Sequence, residues 1–276
     1  MNYYNILYLC KFFNNNFYIK KFKKFFILNQ TDINNIIKYK FSDKLDIINC
    51  NEPLKKNKGE YLCIKVIGDN IPEKYFRYLY KLKLVIISSN IKTIGNCAFE
   101  WCKNLKNVII EDNSIENISI KAFYNCENLE NIYFGDKLKT IEDRSFYNCI
   151  NLKELEFPNS LEEIKDEVFL NCQNIKNINF SEFLKKIGNR SFYKCKNLIE
   201  IDLPKSLLYL GEQCFAYCEK LKEIELKNKN IQGCYDIYIY CKKLEKFIIS
   251  DSKFIWRNSK KGLAKDPEYI IKDFWK

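Results

Sequence analysis

The sequence predicts a solenoid, in which the chain winds into stacked coils of nearly constant length. An aromatic residue recurs once after 24 residues and then at steps of 23, and a cysteine follows three positions behind each one. The aromatic column contains Phe99, Phe123, Phe146, Phe169, Phe192, Phe215 and Tyr238. The cysteine column contains Cys102, Cys126, Cys149, Cys172, Cys195, Cys218 and Cys241. A constant period of about 20 to 50 residues is typical of repeat proteins, whose units bury their apolar side against their neighbours.

Each repeat also contains the pattern of a short strand. Three apolar columns begin at Leu105, Val108 and Ile110 and recur through the array to Leu244, Phe247 and Ile249. The last two columns lie two residues apart, which is the period of a strand with one buried face. The segment from the aromatic residue through the cysteine to the next leucine has a period of three, which predicts a short helical or 3₁₀ turn.

The repeat resembles a known family. L-x-x-L-x-L followed by a turn is the leucine-rich-repeat pattern. Residues 187–207, IGNRSFYKCKNLIEIDLPKSL, and residues 94–105, IGNCAFEWCKNL, resemble the BspA-like leucine-rich repeats, with their consensus I-G-x-x-A-F-x-x-C-x-x-L-x-x-I-x-I-P-x-S-V. The resemblance implies a leucine-rich-repeat solenoid with one short parallel strand per coil. It also implies a binding module, because the family includes bacterial surface adhesins.

The repeat divides the chain into three parts. Residues 1–60 form an N-terminal cap or flanking segment, residues 61–250 form the BspA-like array, and residues 251–276 form a C-terminal cap. A weaker coil precedes the seven clear copies, with Leu79 in the cysteine position, and the last copy has Gly233 in place of the usual isoleucine. Atypical terminal repeats are expected where a solenoid is capped.

The composition argues against enzyme chemistry. The chain contains no histidine, which removes histidine-based acid–base catalysis, histidine triads and histidine metal sites. Cys97 with Cys102, and Cys214 with Cys218, lack the C-x₂-C spacing of zinc sites. We therefore predict no catalytic, cofactor-binding or metal-binding residues, no cofactor, no small-molecule substrate and no enzymatic activity.

The column of seven cysteines has two interpretations. In the first, each cysteine is a small apolar side chain in the coil core and stays reduced. In the second, neighbouring cysteines form disulfides, because the spacing of adjacent coils, ~4.8 Å, falls inside the Cα range of a disulfide. The odd number and the absence of a recognisable export signal favour the reduced core.

Two outward columns of the strands carry the candidate site. Between the inward positions, residues point onto the concave surface and are not dictated by packing. We call the following residues the acidic stripe: Glu154, Glu156, Asn177, Asn179, Glu200, Asp202, Glu223 and Glu225, with Tyr133 at its N-terminal side. The stripe predicts binding of a protein partner through a basic segment. The alternative is a solvated strand face whose acids are neutralised by Lys153, Lys176 and Lys222.

The net charge of +11 is concentrated at the two ends, with +6 in residues 1–60, +3 in residues 251–276 and +2 between them. Residues 20–26 form a basic-aromatic cluster, KKFKKFF, which we interpret as part of a cap. Its alternatives are contacts with anionic membranes or nucleic acid. Residues 32–39 predict a short helix, and Asp266 and Pro267 predict the start of a terminal one.

No secretory signal or membrane-spanning segment is recognisable, so we expect a cytoplasmic location, with the cell surface as the alternative. Together these features predict a non-enzymatic protein–protein interaction scaffold. The principal alternative is a surface adhesin-type ligand binder, and the third is a module that contacts membrane or nucleic acid through its basic N-terminal segment.

Overall fold

A computed structural model of the chain describes residues 45–54, 61–111 and 114–249, and the backbone of residues 255–257. The basic-aromatic cluster at residues 20–26, the predicted helix at 32–39 and the predicted terminal helix at Pro267 lie outside these residues.

Successive coils contribute strands to a first sheet that runs the length of the described chain. Its parallel strands are β1 (Leu45–Asn49), β2 (Cys63–Ile67), β3 (Leu84–Ile87), β5 (Asn107–Ile110), β7 (Asn131–Ile132), β9 (Glu154–Glu156), β11 (Asn177–Asn179), β13 (Glu200–Ile201), β15 (Glu223–Leu226) and β17 (Lys246–Ile249). They form three hydrogen-bonded groups, β1 to β7, β9 to β13, and β15 with β17. β18 (Ile255–Arg257) pairs antiparallel with β17 and ends the parallel order.

A second sheet consists of two-residue strands, one from each coil. These are β4 (Thr93–Ile94), β6 (Asn117–Ile118), β8 (Thr140–Ile141), β10 (Glu163–Ile164), β12 (Lys186–Ile187), β14 (Tyr209–Leu210) and β16 (Gln232–Gly233), all parallel and in chain order. The prediction of a leucine-rich-repeat solenoid is therefore confirmed. β1 belongs to the segment predicted as the N-terminal flank, and it pairs with β2 along its full length.

The core between the two sheets is built around a ladder of aromatic rings. Phe76 and the six phenylalanines of the aromatic column stack with centroid distances of 5.0 to 5.6 Å and interplanar angles of 4° to 14°. A second stack of Phe134, Phe157 and Phe180 follows in the central coils, at 5.3 and 6.0 Å. Each ring thus packs between the rings of the neighbouring coils, so the ring-to-ring distance matches the distance between coils.

The turn around each aromatic residue differs from the expected short helix. The residues two before and two after the aromatic residue have positive φ, for example Glu167 at 55° and Asn171 at 63° on either side of Phe169. A backbone that includes left-handed residues at these positions cannot form a continuous right-handed helix, and no helix occurs in the residues that the structure describes. Instead, alternate N–H groups donate to the next coil, as Phe169 N–H does to the Ser191 carbonyl oxygen at 2.8 Å.

The cysteine column lies in the core, as predicted. The first six of its side chains are fully buried and Cys241 is half-buried. Each thiol donates a hydrogen bond to the phenylalanine carbonyl oxygen of the preceding coil, with Sγ–O distances of 3.1 to 3.4 Å. Burial raises the pKa of the thiols from Cys126 onward, that of Cys241 to about 12, so they remain protonated donors.

A ladder of amide side chains runs beside the cysteines, two residues further along each coil. Its members are Asn104, Asn128, Asn151, Asn174 and Asn197. From Asn128 onward, each Nδ2 donates to the Oδ1 of the preceding asparagine at 3.0 to 3.5 Å, and Asn104 Nδ2 donates to the Tyr80 carbonyl oxygen at 2.6 Å. These bonds fix the point at which the chain leaves the turn and enters the first sheet.

Truncation of a ladder phenylalanine should strongly destabilise the array. We expect Phe169→Ala to lower the free energy of unfolding by about 3–5 kcal/mol, because it removes a fully buried ring and leaves a cavity between two coils. Urea unfolding followed by circular dichroism measures the change. Phe183, which is 59% exposed, provides the control: Phe183→Ala should change stability little. Equal losses for the two variants would contradict the role of the ladder.

Candidate binding surface

The candidate site occupies the outward-facing side of the first sheet. In β9, Leu155 points into the core, so Glu154 and Glu156 on either side of it point out. The parallel register places Asn177 beside Glu154 and Glu200. Asn179 pairs with Glu156, and Glu223 and Glu225 are the outward residues of β15. The first row of the acidic stripe is therefore in register from β9 to β13 and the second from β9 to β11, and β15 belongs to the next hydrogen-bonded group.

Two stripe residues lie just beyond the ends of strands. Asp202 follows β13 and Tyr133 follows β7. Asp202, Glu154, Glu200, Asn177 and Asn179 are exposed, whereas Glu156, Glu223, Glu225 and Tyr133 are half-buried. The centre of the stripe thus presents three exposed carboxylates and two exposed amides.

Some of the stripe carboxylates are paired within the protein. Lys246 contacts Glu223 at 2.7 Å, and Lys227 forms an ion pair with Asp202. Glu154 and Glu200 have no ion-pair partner among the described residues. The negative charge of the stripe is therefore only partly neutralised.

The flanking lysines do not neutralise the stripe as the alternative interpretation required. Lys153 pairs with Glu130, at 2.8 Å, on the preceding coil. In the described part of the chain, neither Lys176 nor Lys222 forms an ion pair with a stripe carboxylate. The reason is geometric: these lysines precede the strand and lie in the row of Glu130, outside the two outward rows of the strands.

Tyr133 marks the N-terminal limit of the acidic stripe. Burial, as the largest cause, and the nearby charges of Glu156 and Glu154 together raise its pKa to about 12. A neutral phenol next to two carboxylates can donate a hydrogen bond but does not add charge. The tyrosine therefore stays uncharged at any physiological pH.

The same face changes character toward the N-terminus. Asn131 donates to Asn107 at 3.1 Å, and Ile109 follows in the neighbouring row. Beyond them lie Cys63, Leu84 and Ile86, which we call the apolar patch; they are 0 to 2% exposed and form a cluster separate from the core. We did not predict this patch, although the run Leu-Val-Ile-Ile of β3, without polar alternation, is typical of a strand buried on both faces.

The described residues hold no group of three or more histidine, cysteine, aspartate or glutamate side chains arranged to bind a metal. Within those same ranges, no helix is long and apolar enough to cross a membrane.

The two parallel sheets, the coil spacing of 23 residues and the inward ladders define a leucine-rich-repeat protein. The chain belongs to the family described as the BspA type leucine rich repeat region, which matches six copies over residues 69–171 and 139–259. A search of curated proteins finds no match.

Two crystal structures of bacterial proteins are similar to this chain. The T. pallidum leucine rich repeat protein TpLRR is 24% identical with a TM-score of 0.57, and the match covers 64% of this chain and 83% of that chain. A leucine-rich repeat protein from Bacteroides ovatus is 25% identical with a TM-score of 0.54, and the match covers 74% of this chain and 63% of that one. These similarities agree with the fold described above.

Family membership supports a role in repeat-based protein interaction or an adhesin-like role, and nothing in the comparisons points to catalysis. Proteins with these repeats are generally binding scaffolds. The stripe and the patch are therefore the parts of the surface where binding should first be sought.

Neutralising Glu154 and Glu156 should lower the pKa of Tyr133. We expect the double variant Glu154→Gln/Glu156→Gln to increase the ionised fraction of Tyr133 at pH 11, because two charges that oppose the phenolate are removed while its burial remains. NMR of ¹³Cζ-labelled tyrosine, assigned with Tyr133→Phe, measures this fraction. Glu200→Gln/Glu223→Gln, further along the sheet, is the control and should leave it unchanged. An unaltered titration in the first variant would show that Tyr133 does not lie beside these carboxylates.

Proposed function

We propose that the protein is a non-enzymatic scaffold that binds a protein partner through a basic segment on the acidic stripe. The observation that carries the proposal is the pair of exposed carboxylates on Glu154 and Glu200, which have no ion-pair partner among the described residues. They lie on either side of Asn177, whose amide can donate to or accept from a partner backbone.

The arrangement has an electrostatic cost that a cationic ligand relieves. Glu154 and Glu200 are two strands apart, which is ~10 Å in a parallel sheet. Two like charges at that distance near a surface repel by roughly 0.4 to 2 kcal/mol, depending on the effective dielectric constant. A lysine or arginine between them converts this repulsion into attraction. The energy is small, so the charges contribute to association rate and specificity more than to affinity.

The geometry suits an extended segment that crosses the strands. Alternate side chains of an extended chain point to the same side and are ~6.7 Å apart, so basic residues at alternate positions can reach carboxylates on successive coils. Half-buried Tyr133 and the Asn107–Asn131 pair border the stripe on its N-terminal side. A partner with basic residues followed by polar ones matches this order.

Neutralisation of the stripe should weaken partner binding. We expect the triple variant Glu154→Gln/Glu200→Gln/Asp202→Asn to capture less partner in affinity pull-downs from the source cell, and to bind an extended lysine-rich peptide at least tenfold more weakly. The effect should shrink as salt is raised, because exposed charges are screened.

The control for this experiment removes the same charge elsewhere. Glu116→Gln/Glu162→Gln/Glu219→Gln neutralises three acids that are paired with lysines away from the outward face of the first sheet. Binding that decreases equally in both variants would indicate only a general charge effect. Binding that is unchanged in the stripe variant would refute the proposal.

We further propose that the protein works in a reducing compartment, which separates an intracellular scaffold from a surface adhesin. The support is chemical: each ladder thiol is the second donor, beside a backbone N–H, to a buried phenylalanine carbonyl, and oxidation to a disulfide would remove that hydrogen bond.

The state of the ladder thiols tests the compartment. If the cells are lysed in acid, and the denatured protein is alkylated before and after reduction, we expect the seven ladder cysteines to be alkylated without reduction. Mass spectrometry of the peptides assigns each thiol. Ladder cysteines that require reduction before labelling would favour the cell surface.

A further inference from the structure

The apolar patch is buried on a face of the sheet that is exposed elsewhere. Cys63 and Ile86 are 0% exposed and Leu84 is 2% exposed, although all three point away from the core. Leu45, Leu62 and Ile109 are partly buried and pack against this cluster within the same sheet. Neighbours in a single sheet layer do not remove all solvent from side chains that stand perpendicular to it.

The rest of the face shows that burial is confined to this place. Ile47 lies in the same row as Ile86, on β1, and is 67% exposed. Glu154 and Glu200, further along the row of Leu84, are also exposed. Between Ile47 and Ile86, Lys65 has a side chain that is only 12% exposed and pairs with Glu111 at 2.9 Å. The covered area is therefore local to β2 and β3.

We propose that the apolar patch is the docking surface for the chain's own N-terminal segment, residues 1–44. This segment is bonded to Leu45, the first residue of β1, and β1 is two strands from β3, which is ~10 Å. The C-terminal residues follow β18, which is eight strands from β3, ~38 Å away. Residues 55–60 and 112–113, which connect described parts of the chain, carry no apolar side chain.

The composition of the N-terminal segment fits the patch. It contains aromatic pairs such as Phe12 with Phe13 and Phe25 with Phe26, which can contact Leu84 and Ile86. It also carries eight lysines and two aspartates, a net charge of +6, and the face that it would occupy becomes acidic from Glu154 onward. The apolar contact on β2 and β3 would thus be supported by long-range attraction between the basic segment and the acidic stripe.

Docking of this segment would divide the face between an intramolecular contact and a free surface. The part available to a partner would begin near Asn107 and Ile109, where the outward side chains become half-exposed. The inference does not depend on the identity of any partner, and it holds even if the acidic stripe binds nothing.

Cys63 provides a reporter in the full-length protein. Burial raises the pKa of its thiol from 9.0 to about 11, and exposure to water should return it toward the ordinary value. Because each pKa unit is a tenfold change in thiolate, uncovering the patch should accelerate alkylation of Cys63 by about 100-fold at pH 8. We expect this acceleration in the variant Phe12→Ser/Phe13→Ser/Phe25→Ser/Phe26→Ser.

Two controls separate uncovering from unfolding. Cys172, fully buried between coils, should stay protected in the same sample, which shows that the array remains folded. Phe183→Ser, at an exposed phenylalanine of a central coil, should leave Cys63 protected. If Cys63 and Cys172 become reactive together, the variant has unfolded and the decision rests on the cross-linking experiment below.

Photo-cross-linking of the otherwise unaltered chain gives a result that requires no destabilising change. Benzoylphenylalanine in place of Ile109, at the edge of the patch, should cross-link to peptides from residues 1–44 within one molecule; the same group in place of Glu200 is the control. Cross-links to residues 250–276 or to a second copy would assign the patch to another occupant, and no cross-link would leave it without one. Each of these outcomes overturns the proposal.

Discussion

The constant rise from one coil to the next is the constraint on which the structure depends. Parallel strands are spaced by ~4.8 Å, and that rise also allows aromatic rings to stack and thiols and amides to form hydrogen bonds from one coil to the next. The protein combines strand pairing with all three ladders, with ring distances of 5.0 to 5.6 Å and Sγ–O distances of 3.1 to 3.4 Å. An extra residue inside a strand or turn would shift the ladder positions of that coil out of line with its neighbours. The single extra residue of the array falls between Ile110 and Ile115, after β5 and outside the ladders described above.

Cysteine in this framework is selected by geometry as well as by size. The phenylalanine carbonyl of each coil accepts the backbone N–H of its own cysteine and the thiol of the next coil, as the Phe123 carbonyl does from Cys126 and Cys149. Alanine would fill less space and donate nothing, and leucine, which occupies this position at Leu79, fills the space but also donates nothing. The thiol is a small apolar group with one weak donor, which matches one remaining lone pair on a buried carbonyl.

The fold and the buried columns could be predicted from the sequence because packing allows only apolar residues of similar size at those positions. The turn geometry could not: left-handed positions are held by residues such as Glu167, Asn171 and Trp101, with no glycine signature. The ion pairs were missed for a different reason. The partners are not neighbours along the chain: Lys246 pairs with Glu223, and Lys153 with Glu130, one period of 23 residues away. On the surface of a solenoid, the partner of a charged residue can therefore be expected one repeat length before or after it in the sequence.

On the outward face of the first sheet, residue types can vary without affecting the core. Its residues change from apolar at Leu84 and Ile86, through amides at Asn107 and Asn131, to carboxylates at Glu154 and Glu200, while the core beneath them keeps the same pattern. Packing cannot account for that change, because every coil has an equivalent backbone. An acidic surface on a chain of net charge +11 also opposes the average charge of the protein. We propose that the gradient follows from two different contacts: the N-terminal segment at one end of the face and a basic partner segment at the other.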